Sequence, residues 1–277
     1  MIETYRLIVD QQRAWAYQHG IGYDKDGYTL RLADNLYHPL SPMTLEEFKH
    51  GKGDELGNSE NRGKMQALHS SSALAVNVFE YWRNRNIAFI AEACGASSGI
   101  SKMRFEATYP TQLGGIPPHL DIEFTGTFTR ALVVESKFTE TYRRHTRRRL
   151  KRAYISTPLL WSGLPNCEAL AKLIYDEQKG QTSFNCLDAP QLLKHMLGLN
   201  YENRFKEKGF TLLYLWYEIP SIVADKHRSE IESFKKAIGQ DIDFQVLTYQ
   251  ELFQRIKGIP GSDQSYLSYL GVRYFPA

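Results

Sequence analysis

Cysteine is scarce in this sequence, and a long apolar run is absent. The 277 residues include three cysteines, Cys94, Cys167 and Cys186, and none of them stands in a CxxC pair. This odd, scattered count excludes a disulfide-stapled secreted scaffold and favours a reducing compartment. The longest apolar run, residues 211–219, is too short to span a bilayer, and the first residues lack the apolar core of a signal peptide. We therefore expect a cytoplasmic protein without a membrane segment.

The sequence also lacks a strong charge of one sign. Its formal net charge is only +3, so any basic footprint for nucleic acid must be local. Hydrophobic residues make up 42% and charged residues 23%, which excludes global disorder and allows a sizeable core. We predict one domain over residues 1–277, with 1–63 as a candidate N-terminal extension and 64–150 carrying the motifs of a catalytic core.

The order of apolar patterns predicts an α/β fold. Residues 20–63 are rich in glycine, asparagine and proline and are predicted to be irregular, and residues 87–94 are ambiguous. The chain should be mostly helical between about residues 142 and 208. This order indicates a central mixed β-sheet flanked by helices. The remaining predicted elements are helices at 3–19, 64–85 and 223–238 and strands at 103–109, 119–125, 131–138, 211–219 and 243–248.

The segment 119–138 has the pattern of a β-hairpin. If its turn centres on Phe128, paired residues have numbers that sum to 256, and Asp121 lies opposite Glu135. Because side chains alternate between the faces of a strand, Glu123 and Lys137 lie on the same face as these two carboxylates. The other face should be buried, since it carries Leu120, Ile122, Phe124, Leu132, Val134 and Phe138.

The polar face of this hairpin is a candidate catalytic site. Two carboxylates in direct opposition repel each other, and one is driven toward protonation unless a cation lies between them. A hard divalent cation binds carboxylate oxygens, and Lys137 beside it can stabilise a nucleophile or the charge on a phosphate. An ordinary salt bridge on a solvated strand face is the alternative. The register of Asp121 with Glu135 favours the functional interpretation.

The arrangement D-x13-E-x-K on a hairpin resembles the signature of the PD-(D/E)xK, or restriction-endonuclease-like, nucleases. The run VVESKFTETY is similar to an E-x-K-[YF]-T-E-x-Y run in a group of bacterial restriction endonucleases, and SSSALAVNVFEYW is similar to an upstream helix of that group. The resemblance covers roughly residues 68–142. Leu120 precedes Asp121 where many members have proline, although members vary at this position.

The resemblance implies a restriction-endonuclease-like fold and hydrolysis of DNA phosphodiesters with Mg²⁺ or Mn²⁺. It assigns Asp121 and Glu135 as metal ligands and Lys137 as the catalytic lysine. The additional acid that many members use is Glu106, which we favour over Glu80 as a further catalytic residue and metal ligand. A restriction or phage-defence role follows from the same resemblance. A homodimer is an open expectation, because many such enzymes cut both strands as dimers.

A basic run, YRRHTRRRLKRAY, follows the catalytic strand over residues 142–154. If it is helical, four of its cations form one stripe. Phosphate contacts by such cations strengthen binding to nucleic acid in a salt-dependent manner. A solvated helix face with acidic partners is the alternative. The predicted nucleic-acid contacts are Arg143, Arg144, Arg147, Arg148 and Lys151.

Two rival functions remain at this stage. One is a protein of nuclease fold that binds nucleic acid without cutting it. The other is a serine hydrolase, because Ser97 is the centre of a G-x-S-x-G pentapeptide. That motif needs a strand before it and a helix after it, whereas a strand is predicted to follow. His119 shares a face with Asp121, and we expect it to be a structural or surface histidine.

Overall fold

The computed structural model describes residues 2–51, 53–58, 60–143, 149–177 and 183–276. Within these residues, four helices precede three consecutive strands, three helices follow, and the chain then forms a strand, a helix and a strand before two final helices. The helices are α1 (Ile2–Gln18), α2 (Pro42–His50), α3 (Ser71–Arg83), α4 (Ile87–Ala93), α5 (Ala153–Ser156), α6 (Pro165–Glu177), α7 (Ala189–Tyr201), α8 (Ile222–Ile238), α9 (Tyr249–Lys257) and α10 (Gln264–Tyr274).

Five strands form one mixed sheet in the order β1-β2-β3-β4-β5. Strands β1, β2 and β3 are antiparallel neighbours, whereas β4 runs parallel to β3 and β5 runs parallel to β4. The two parallel connections pass through helices, as such crossovers require. The predicted mixed sheet flanked by helices is therefore confirmed. Its strands are β1 (Lys102–Thr108), β2 (His119–Thr125), β3 (Ala131–Lys137), β4 (Phe210–Trp216) and β5 (Asp243–Thr248).

Local capping explains where the helix predictions were wrong. The segment predicted to be irregular contains α2, which begins at Pro42 because the Ser41 side chain accepts a hydrogen bond from the Thr44 amide. The helix predicted from residue 64 begins instead at Ser71, where Ser70 is the N-cap. A short 3-10 turn occupies residues 64–66, and the ambiguous segment 87–94 contains α4.

The hairpin alternates as predicted, but both of its faces are buried. Ile122, Phe124 and Val134 are fully buried on the predicted core face. On the other face Glu135 is 2% exposed and Glu123 is 4% exposed. These two carboxylates are therefore covered by other elements, whereas Asp121 and Lys137 are partly buried, so this face is not a fully solvated strand face.

The N-terminal residues pack into the same core as the sheet. Ile8, Leu36 and Phe48 belong to one hydrophobic cluster with the buried residues of the strands. Helix α1 contacts α10, a helix that was not among the predicted elements. Helix α2 contacts β1. The division into one domain with an extension stays a prediction. No helix in the described ranges is long and apolar enough to cross a membrane.

Candidate active site

Three carboxylates form a row across three adjacent strands. Phe105 pairs with Ile122 and Ala107 with Leu120, so Glu106 on β1 lies opposite Asp121 on β2. The pairing of Ile122 with Val134 continues the predicted register and places Asp121 opposite Glu135 on β3.

Backbone pairing between β2 and β3 stops at the candidate site. The ladder pairs residues 122–124 with 132–134, and Asp121 lies just outside it. Its Oδ2 accepts a hydrogen bond of 2.6 Å from the amide of Ser136. The Asp121 carboxylate thus takes the place of a backbone oxygen as the acceptor for the Ser136 amide on β3. This hydrogen bond fixes the Asp121 side chain beside the Glu135–Lys137 segment.

Lys137 is held between an acid and an amide. Its Nζ donates to Glu135 Oε1 and also to Gln191 Oε1, at 3.0 Å in the second case. Although burial alone would lower it, the pKa of Lys137 is raised by the carboxylates of Glu135, Glu140 and Asp121. Lys137 is therefore a fixed ammonium ion and not a proton acceptor at neutral pH.

The other two carboxyl groups are destabilised as anions. Burial, followed by repulsion from Glu135, raises the pKa of Asp121 well above its ordinary value. Burial, followed by repulsion from Glu55 and Glu135, raises the pKa of Glu106 to about 7. Glu106 also has a positive φ of 52°, which is unusual for a residue other than glycine. The site therefore concentrates negative charge that needs a counter-charge.

Helix α7 supplies two site residues that the sequence analysis missed. His195 Nδ1 lies 3.2 Å from Glu135 Oε2, and the His195 side chain is 3% exposed. Gln191, four residues earlier and so on the same helix face, contacts Lys137. Burial lowers the pKa of His195, which favours the neutral imidazole. The available signal was this i, i+4 polar pair in the run QLLKHMLGL, whose one other polar side chain is Lys194.

The position of α7 depends on a glycine. A Cβ added at Gly198 would lie 2.3 Å from the backbone oxygen of Tyr109. Since backbone atoms cannot rotate away, only glycine allows this close approach between α7 and the end of β1. The contact fixes the distance at which Gln191 and His195 reach across to β3.

Two other carboxylates that were considered with the motif, Glu80 and Glu140, make different contacts. Glu80 accepts hydrogen bonds from Ser41, Thr44 and Arg83, and it holds α2 against α3. Glu80 is committed to these contacts, and the choice of Glu106 as the additional acid stays a prediction. Glu140, in the longer run, accepts a hydrogen bond of 2.8 Å from the Phe138 amide and acts electrostatically on Lys137.

His119 lies at the candidate site. Its Nδ1 is 3.6 Å from Glu106 Oε2, and its side chain is 19% exposed. Ser97 does not meet the conditions of a hydrolase. It is exposed, α4 precedes it and β1 follows it, which is the reverse of the strand–turn–helix order that the motif requires.

The predicted nucleic-acid contacts are only partly visible. Arg144, Arg147 and Arg148 lie outside the described residues. Arg143 is exposed, donates to Tyr5 Oη at 2.6 Å and lies 4.5 Å from the centre of its ring. Lys151 is exposed. Burial, followed by repulsion from Lys151, lowers the pKa of Lys194 on α7, so these two cations lie in the same region.

The donor chemistry of the site fits a hard divalent cation. Asp121, Glu106 and Glu135 offer carboxylate oxygens, and the raised pKa values of the first two show how poorly their charges are balanced. Across the described part of the chain, no three His, Cys, Asp or Glu side chains are already arranged as a metal-binding group. Glu135 is instead directed to Lys137 and His195, so a metal ion would compete with those contacts.

A known protein family matches nearly the whole chain. The model of the family described as Restriction Endonuclease associating with ARP, REase-ARP, matches residues 7–275. The chain belongs to this family. No curated protein and no solved structure gives a match. The REase-ARP match extends the restriction-endonuclease-like assignment from the motif region to nearly the whole chain, and the mixed sheet is consistent with it.

Proposed function

We propose that this REase-ARP protein is a metal-dependent DNA endonuclease of the PD-(D/E)xK type, with a role in restriction or phage defence. The observation that carries the proposal is the row of Glu106, Asp121 and Glu135 across three adjacent strands, with Lys137 at its end. Membership of a restriction endonuclease family favours DNA as the substrate.

The residues of the row have distinct roles in this proposal. Asp121, Glu135 and Glu106 would hold Mg²⁺ or Mn²⁺, which supplies activation of water and polarisation of the phosphoryl oxygen when bound. Lys137 stabilises the negative charge that develops on the phosphate, because its neighbours keep it protonated. Gln191 restricts the position of the Lys137 ammonium group.

The DNA backbone would lie near the surface that carries Arg143, Lys151 and Lys194. Lys194 is on α7, one turn from Gln191 and next to His195, so a phosphate bound there is close to the carboxylate row. Arg144, Arg147 and Arg148 complete the proposed set of contacts. Their contribution is testable through the dependence of binding on salt concentration.

Cleavage assays with isosteric variants test the proposal. Supercoiled DNA, linear DNA and single-stranded RNA would be incubated with Mg²⁺ or Mn²⁺ and with wild type, Asp121→Asn or Lys137→Met. Asp225→Asn and Lys226→Met on the exposed surface of α8 are matched controls. We expect metal-dependent cutting of DNA by wild type and controls, with a loss of about 100-fold or more in both site variants.

Two outcomes would contradict this function. Cutting that survives Asp121→Asn would remove the carboxylate row from the mechanism. If no substrate is cut, and calorimetry finds no metal binding that Asp121→Asn abolishes, the chain is a binder of nucleic acid that does not cut it.

The cellular setting and assembly are part of the proposal. Cys94, Cys167 and Cys186 are buried and form no disulfide, as expected for a cytoplasmic protein. A homodimer would let two carboxylate rows act on the two strands. Light scattering with and without a DNA duplex tests this assembly.

A further inference from the structure

A cavity lies on the sheet away from the carboxylate row. It has a volume of about 1100 Å³ and is formed by the start of α2, the end of α3, the first half of β1, the β2–β3 turn and residues 204–209. Glu123 lines it, and by strand alternation Glu123 is on the same sheet face as Asp121. Its lining includes none of the four proposed catalytic residues, Asp121, Glu106, Glu135 and Lys137.

The lining of the cavity carries more cations than carboxylates. Arg104 and Arg204 share the buried carboxylate of Glu123, at 3.3 Å and 3.0 Å. Arg204 also pairs with Glu202, whereas the Arg104 Nε atom is buried without a hydrogen-bond acceptor among the described residues. Glu123 accepts a further hydrogen bond from Tyr109, so its position is fixed from several sides.

Two exposed lysines add to this charge. Lys102 on β1 and Lys208 before β4 line the cavity, and neither forms an ion pair with a carboxylate in the described ranges. Lys208 donates to the backbone oxygen of Thr127 and lies over the Phe128 ring. The Lys102 ammonium group is therefore available to an anionic ligand, and the Lys208 ammonium group keeps two donor hydrogens beyond its bond to Thr127.

Apolar side chains also line the cavity. Met43, Ile87, Met103 and Phe205 are among the lining residues, and the last two are nearly fully buried. Arg83, the remaining cation of the lining, is committed to Glu47 and Glu80 and does not add free charge. The cavity thus combines an apolar surface with a group of four cations.

We infer that this cavity binds a nucleotide. Protein pockets of several hundred to about 1000 Å³ hold small organic ligands, such as nucleotides, through apolar contacts and a few polar or charged groups. Arginine pairs recognise phosphate through parallel hydrogen bonds, and lysines add charge at short range. The apolar lining would take the base and sugar. A free nucleotide and the terminal nucleotide of a DNA strand share this chemistry.

Calorimetry on the full chain in a chelating buffer tests the inference. The probes are AMP, ATP, adenosine, inorganic phosphate and a short oligonucleotide with and without a 5′-phosphate. The cavity variants are Lys102→Gln with Lys208→Gln, and separately Arg104→Gln. Lys235→Gln with Lys236→Gln, on the exposed face of α8, is the matched control.

We expect AMP or ATP to bind, adenosine and inorganic phosphate to bind at least about tenfold more weakly, and the cavity variants to lose about tenfold in affinity. Tighter binding of the phosphorylated oligonucleotide would identify a strand end as the source of the nucleotide. Binding that is equal in cavity and control variants, or no binding of any nucleotide, overturns the inference. Asp121→Asn should abolish cleavage and leave this binding unchanged, so the two proposals fail separately.

Discussion

At the scale of single residues, the site is defined by charges that are poorly balanced within the protein. Asp121, Glu135 and Lys137 were predictable because their spacing and the strand alternation are local properties of the hairpin. Gln191 and His195 were not, because nothing local shows that α7 lies over β3. Their position depends on packing between segments far apart in the chain.

The carboxyl group of Glu106 should make the stability of the metal-free protein depend on pH. Its pKa rises from 4.5 to about 7 on folding, so the folded state binds the proton more tightly than the unfolded state. The stabilising contribution is complete below about pH 4.5 and is lost as the pH rises through about 7. Glu106→Gln remains neutral and lacks this loss.

Urea unfolding in a chelating buffer measures the effect. The stability of Glu106→Gln relative to wild type should increase between about pH 5 and 7 and then level off. Glu46→Gln is the control, since Glu46 is exposed and its pKa is lowered by the hydrogen bond from Lys49. A difference between Glu106→Gln and wild type that does not vary with pH would show that the Glu106 carboxyl group titrates normally.

At the scale of elements, the strands were predicted more accurately than the helices. The predicted bounds of β2 and β5 are those observed, because alternation and β-branched residues mark a strand directly. The N-terminal bounds of α2 and α3 depend on single capping serines, Ser41 and Ser70, which compete with many other serines and prolines in the sequence. The existence of α2 and the first residue of α3 were therefore both missed.

Gly198 tests whether the position of α7 controls the site. Gly198→Ala would introduce a Cβ at 2.3 Å from the Tyr109 backbone oxygen, so α7 must move away from β1. We expect a loss of about 1–3 kcal/mol in stability and a fall in kcat, since Gln191 and His195 move with the helix. Gly271→Ala in α10, where a Cβ would make only an ordinary contact at 3.5 Å from the Phe253 ring, is the control for substituting a helical glycine.

Thermal unfolding and single-turnover cleavage give the two readouts. A Gly198→Ala protein with a lower Tm but unchanged single-turnover rate would mean that α7 supports the fold and not the position of Lys137.

At the scale of the whole molecule, a buried arginine joins the two ends of the chain. Arg273 on α10 is fully buried, and within the described ranges no carboxylate pairs with it. Its guanidinium donates to Gln12 and to the backbone oxygen of Asn35, and it lies 4.2 Å from the centre of the Trp15 ring. Carbonyl oxygens and aromatic rings therefore balance its charge. Sequence patterns do not reveal such a contact, because its partners are spread over both ends of the chain.

This contact decides how residues 1–63 are to be regarded. Their removal would strip Arg273 of Gln12, Asn35 and Trp15 and expose the core around Ile8 and Phe48. A charged group left without partners in a partly buried setting costs several kcal/mol. We therefore expect the chain without residues 1–63 to lose cooperative unfolding, and Arg273→Met in the full chain to lose about 3 kcal/mol.

Circular dichroism melting of both variants beside Arg228→Met, an exposed cation paired with Glu218, provides the comparison. The exposed pair should contribute no more than about 1 kcal/mol. If the shortened chain instead unfolds cooperatively at the Tm of the full chain, residues 1–63 are a separable extension. If it does not, residues 1–63 are part of the unit that holds the carboxylate row in place. Cleavage should then be lost when they are removed, although none of them lies in that row.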